Sequence, residues 1–185
     1  TYTDSSSTLL NRRVAFVLEA FEEEVADLCA EMLASHDPYR QEFLWSQWIE
    51  YFFSQGGRIN WQGFASVPIL IQLCMQNSWR HRRMILEYLV FWSRKVDEIY
   101  FFYDYSREAS FTAEDERWAE VADRETCRPW LRMAFHALRA HVHVFEQILA
   151  QRRKGEEMAC LQILWHCLKK GKISLSEETQ IRLQD

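Results

Sequence analysis

Residues 67–103 read VPILIQLCMQNSWRHRRMILEYLVFWSRKVDEIYFFY, two apolar runs parted by a charged break, and this stretch decides the class of fold. The first run, Val67 to Met75, is too short to span a bilayer, and Pro68 stands where a helix begins, which predicts a buried helix over about 67–76. The second run, Ser78 to Tyr103, carries Met84, Ile85, Tyr88, Leu89, Phe91, Trp92, Val96, Ile99, Tyr100, Phe102 and Tyr103 and is apolar or aromatic over most of a helical surface, which predicts a long central helix. Neither run alternates as a half-buried strand does. Five glycines and three prolines in 185 residues are also too few for the tight turns of a sandwich or barrel.

Outward from this centre the helical period continues. Toward the amino terminus, Val14, Val17, Leu18, Phe21, Val25, Leu28 and Met32 predict one amphipathic helix from Thr8 to about Ser35, with Glu19, Glu22, Glu23, Glu24 and Asp27 on its solvated face. Asp37-Pro38 is a cap followed by a first-turn proline and opens a second helix that runs to Phe53, with Gly56-Gly57 closing it. Asn60 caps a short turn through Phe64, and Ser66 caps the helix that Pro68 begins. Toward the carboxyl terminus, Thr112 with Glu114, Asp115 and Glu116 marks a connecting helix. Pro129 starts a helix striped by Leu131, Phe135, Leu138, Val142, Phe145 and Leu149 as far as Gln151. A further helix over about 156–170 ends at Gly171, and Ser174 with Glu177 forms a capping box for the last one. The expectation is a single all-α domain over 1–185, whole or part of a longer chain, of about seven to eight helices.

Charge and composition narrow the function. The chain has 22 basic and 27 acidic residues, a net charge of −5, which disfavours an extended phosphate-binding surface. No run of 18 apolar residues occurs, so membrane insertion is not expected. The amino-terminal residues lack a basic start and an apolar centre, and five cysteines, an odd number, fall mostly among apolar helical residues. Together these predict reduced core thiols and an intracellular protein, cytoplasmic or nuclear. There is no strained nucleophile turn, no phosphate-cradling glycine loop and no Cys-x-x-Cys or His-Glu-x-x-His spacing, so neither catalysis nor a cofactor is expected. A helical metal enzyme using His136, His143 and Glu146 stays open as an alternative, because the two histidines lie seven apart on one predicted helix.

An internal repeat gives the stack its form. A shift of about 75 residues lays Ile71-Gln-Leu-Cys-Met-Gln and Met84-Ile-Leu-Glu-Tyr-Leu over Glu146-Gln-Ile-Leu-Ala-Gln and Ala159-Cys-Leu-Gln-Ile-Leu. Each copy is a short helix, a charged turn and a longer apolar helix. The segment Val67-Pro-Ile-Leu-Ile-Gln-Leu-Cys resembles the second helix of armadillo-type repeats, and the helix from Arg80 to Arg94 looks like their third; HEAT-type hairpins match equally. That resemblance implies stacked antiparallel helical hairpins, an α-solenoid-like arrangement. A second resemblance lies in Phe53-Ser-Gln-Gly-Gly-Arg-Ile-Asn-Trp-Gln-Gly-Phe, which is similar to the Asn-Trp-Gly-Arg motif of the B-cell-lymphoma apoptosis regulators, with Gln62 intruding and Phe64 in place of the arginine. It implies a compact bundle in which the motif starts a buried central helix and a groove binds an amphipathic helix. The two differ in whether the Val67-to-Met75 helix is enclosed on all sides.

The function expected from these readings is a non-enzymatic protein-protein interaction or scaffold module that binds a partner protein or peptide segment in a helical groove. The residues expected to line it are the aromatics Trp79, Trp92, Tyr100 and Tyr103, with Arg80, Arg82 and Arg83 fixing orientation. RNA binding is a further alternative if two of the basic clusters Arg80-His-Arg-Arg83, Arg152-Arg-Lys154 and Lys169 to Lys172 line one concave side of the stack, and it is recognisable by steep salt dependence.

Overall fold

In a computed structural model of the chain, the described residues are 2–53, 60–76, 82–105, 124–168 and 177–184. They form helices α1 (Tyr2–Ala20), α2 (Glu23–Ala34), α3 (Pro38–Phe53), α4 (Trp61–Met75), α5 (Arg82–Tyr105), α6 (Arg124–Ala140), α7 (Val142–Ala150), α8 (Glu157–Leu168) and α9 (Glu177–Gln184). No strand occurs among the described residues, so the all-α expectation holds. The connector expected near Thr112 and the caps expected at Gly56-Gly57, Gly171 and Ser174 lie outside them.

Several helix ends follow from local chemistry. The Asp37 carboxylate accepts from Tyr39 N–H at 3.1 Å and so caps α3. Asn60 Oδ1 accepts from Gly63 N–H at 3.1 Å and caps α4 at its first turn. Because that cap starts the helix, Ser66 does not start a second one; its hydroxyl instead donates to Gly63 C=O at 2.6 Å. Pro68 therefore lies inside α4, where it forfeits its own N–H bond to the preceding turn. The loss is tolerated because 11 of the 15 residues of α4 are buried, among them Phe64, Ile69, Leu70, Ile71 and Leu73.

Two expected helices are each split. The helix from Thr8 to Ser35 breaks at Phe21-Glu22, where Glu22 has ψ 150 and becomes the residue before α2. The buried period (Leu10, Val14, Val17, Phe21, Val25, Leu28) runs across the break unchanged, so apolar spacing could not reveal it. The carboxylates supply the reason. After the break Glu23 and Glu24 occupy a first turn, where the helix dipole favours negative charge, which mid-helix positions would not give them. The helix expected from Pro129 to Gln151 begins earlier, at Arg124, and breaks at His141, which separates α6 from α7.

Helix α4 is the centre of the packing and meets α1, α2, α5, α6 and α7. It approaches α5 so closely at Gly63 that a Cβ there would lie 1.9 Å from Trp92 Cη2. The 75-residue offset is visible in the helix ends: α4 ends at Met75 and α7 at Ala150, while α5 starts at Arg82 and α8 at Glu157. The starts of α5 and α8 are joined by a buried ion pair, Arg82 Nη2 to Glu156 Oε2 at 2.7 Å, and the same guanidinium donates to Gln151 Oε1 at 2.8 Å. Further along the same two helices, His166 Nδ1 donates to Asp97 Oδ2 at 3.1 Å, a second polar tie between α5 and α8.

Candidate functional site: a groove between α1 and α6

The apolar stripe of α1 (Leu10, Val14 and Val17) is buried toward α4. That orientation leaves Arg12, Arg13 and Phe16 to one side, since they fall off the stripe while lying within one turn of one another. On α6, Pro129, Trp130 and Met133 flank the buried Leu131 and Ala134 in the same way. These six residues line an open groove of about 450 Å3. Phe16 is 58% exposed, high for a phenylalanine, and its ring lies 5.6 Å from that of Trp130. From Trp130 a chain of aromatic contacts descends to the core, through Trp61 at 5.0 Å and Phe21 at 5.7 Å to Phe52 at 6.0 Å. The groove floor is thus apolar and held rigidly by rings that the bundle itself packs.

Its charge is of one sign. Among the described residues, Arg12 and Arg13 are the charged ones in the lining, and no carboxylate belongs to it. Arg13 Nη1 is buried without a hydrogen-bond partner, and burial lowers the Arg13 pKa. Beside it, His136 is held below its ordinary pKa by burial and then by Arg13, Arg139 and Arg132. His141, at the α6–α7 break, is fully buried with both ring nitrogens unpartnered, and burial, Arg13 and His143 together push its pKa down to about 4.

His141 makes the fold acid-sensitive. Its ring is protonated below about 6.5 in the unfolded chain but only below about 4 in the folded one, so stability is lost as pH falls across that interval. At about 1.4 kcal/mol per unit the shift is worth about 3 kcal/mol, and about 2 kcal/mol once water entry around the ring is allowed for. Urea unfolding at pH 7 and pH 4.5 is expected to show this loss in the wild type, with a flatter dependence in His141→Leu. An unchanged slope in the variant would assign the acid sensitivity elsewhere.

Of the residues expected from sequence to bind a partner, the three whose side chains are described, Arg82, Arg83 and Trp92, do not line this groove. Trp79 and Arg80 lie outside the described residues. Tyr100 and Tyr103 belong to α5, but their side chains lie outside the described ones, as does the rest of the aromatic run to Tyr105. Arg82 is a correction: it is 3% exposed and held by Glu156, so it orients nothing at the surface. Trp92 is another, at 3% exposed against Gly63 and Phe64, because α5 buries a wide face and its indole fills the space a side chain on residue 63 would need. Arg83 is exposed and bonds Glu87 at 2.9 Å. The His136–His143 spacing is interrupted by the break at His141, and among the described residues no three metal-ligating side chains gather.

The cysteines are all free and buried, and burial raises the thiols of Cys29, Cys160 and Cys167 to about 12 and that of Cys74 well above its ordinary value. None of these four has the low pKa of a nucleophilic thiolate. The groove residues themselves carried a weak sequence signal: Phe16 and Trp130 are large apolar residues just off an otherwise regular stripe. Comparison with protein-family models, with curated proteins and with solved structures finds no match for the chain.

Proposed function

We propose that this protein is a non-enzymatic interaction module that holds an apolar segment of a partner protein in the groove between α1 and α6. The observation that supports it is Phe16, exposed on a rigid aromatic floor beside Trp130 in an open cavity of about 450 Å3. Exposed rings in a preformed, mainly apolar pocket are the usual anchors of binding energy, because little conformational entropy remains to be lost. The site differs from the one expected at Arg80 to Arg83, and the mechanism, groove docking of a segment, is unchanged.

A test follows from the exposure of Phe16. In Phe16→Asp the groove gains a carboxylate while the buried stripe is untouched, so partner-segment affinity is expected to fall at least ~10-fold with the melting temperature nearly unchanged. Isothermal titration with a captured segment reads the first and circular dichroism the second. Full affinity in a folded Phe16→Asp variant would rule this groove out.

A second reading is supported by α4. Its enclosure by five other helices, begun at the Asn60 cap, favours the compact bundle implied by the resemblance to the apoptosis regulators over a two-layer hairpin stack. That bundle too would bind an amphipathic helix. RNA binding through Arg80, Arg82 and Arg83 loses support from the internal pairing of Arg82.

A further inference from the structure

Resting on the groove reading above, we propose that the segment bound between α1 and α6 is an acidic amphipathic helix, with an apolar anchor against Phe16 and Trp130 and a carboxylate on the Arg13 guanidinium. Three observations converge on it. Arg13 is part of the groove lining, and its Nη1 is buried with no protein partner. A buried donor left unpaired costs about 1–3 kcal/mol, so the guanidinium gains by turning into the groove toward a ligand that supplies an acceptor. A carboxylate is the acceptor whose two oxygens match the guanidinium fork.

The second observation is charge. Among the described residues, both charged ones in the lining are arginines, and the groups that act on His136 and His141 behind the groove are Arg13, Arg132, Arg139 and His143, with no acid among them. Among the described residues Arg13 has no counter-ion, and complementarity asks for one from the partner. The third is the arrangement of apolar and cationic groups. Arg12 and Phe16 stand one turn apart on α1, with Arg13 between them in sequence and Trp130 opposite, so one helical face presenting an apolar side chain and an acid a turn away matches both. A nucleic acid is a poorer match, because the groove holds only two cations above an apolar floor and the chain carries a net charge of −5.

Display selection of 16-residue helical peptides on the full chain tests this directly. Selected peptides are expected to carry Asp or Glu one turn from an apolar anchor, and exchanging that Glu for Gln is expected to weaken binding about 10-fold. Arg13→Gln, checked for folding by its melting curve, is expected to abolish the Glu-over-Gln preference while apolar binding persists, and Phe16→Asp to abolish binding of both forms. Equal affinity of the Glu and Gln peptides for wild type, with Phe16→Asp still blocking both, overturns the carboxylate receptor and leaves the groove reading intact. A preference that survives Arg13→Gln overturns it as well. Peptides indifferent to Phe16→Asp overturn both readings, and a dimer in sedimentation that Phe16→Asp dissolves makes a second copy the occupant instead.

Discussion

Arg82→Met is expected to destabilise the protein by about 3–5 kcal/mol, lowering its melting temperature by roughly 10 °C, because it leaves the Glu156 carboxylate buried without its counter-ion. The two side chains are only 4% and 9% exposed, so neither charge has water to fall back on. Glu156→Leu is expected to cost as much from the other side, stranding the guanidinium with Gln151 alone. The double variant Arg82→Met/Glu156→Leu should recover most of the loss, since a buried ion pair barely exceeds a well-packed apolar replacement in net stability. Chemical denaturation of all four proteins gives the coupling energy of the cycle. A coupling near zero would mean that the starts of α5 and α8 are held together by something other than this pair.

Gly63→Ala is the second large effect. A methyl group in a helix ordinarily gains up to about 1 kcal/mol over glycine, but here the new Cβ would sit 1.9 Å from Trp92 Cη2 and 2.2 Å from Cζ2. The indole cannot step aside, because Phe64, Tyr88 and Phe91 pack against it at 5.3, 6.3 and 5.2 Å. Forcing α4 and α5 apart is therefore expected to cost about 2–3 kcal/mol net, read as a fall in melting temperature of several degrees. Trimming the ring should relieve it, so Gly63→Ala combined with Trp92→Leu should cost less than the sum of the two single changes. A stabilised Gly63→Ala protein would contradict the close approach of the two helices.

What the sequence disclosed and what it withheld divide along physical lines. The Asp37 cap, the bounds of α3, the Asn60 cap and the 75-residue offset were legible because each rests on local hydrogen bonding or on spacing within a few turns. The breaks at Glu22 and His141 were not, since the apolar period passes through both without interruption; the first puts Glu23 and Glu24 into a first turn, and the second ends in a buried imidazole with no hydrogen-bond partner. Burial of Trp92 and Arg82 was equally hidden. An aromatic and an arginine near a basic cluster read alike whether they face a partner or the core, and only the placement of Gly63 and Glu156 decides between the two. The groove itself depends on α6 lying beside α1, a tertiary fact that leaves only the displaced Phe16 and Trp130 as its trace.

The central claim, that a partner segment docks between α1 and α6, is tested most directly by fluorine NMR of the protein labelled with 5-fluorotryptophan. The eight tryptophans include Trp130 in the groove, Trp61 beneath it, and Trp165 on α8, which is 49% exposed. Titration with a selected acidic helical peptide is expected to shift the Trp130 resonance strongly and that of Trp61 less, leaving Trp165 and Trp45 in place. A shift confined to Trp165, or saturating binding that leaves Trp130 unmoved, would contradict the account.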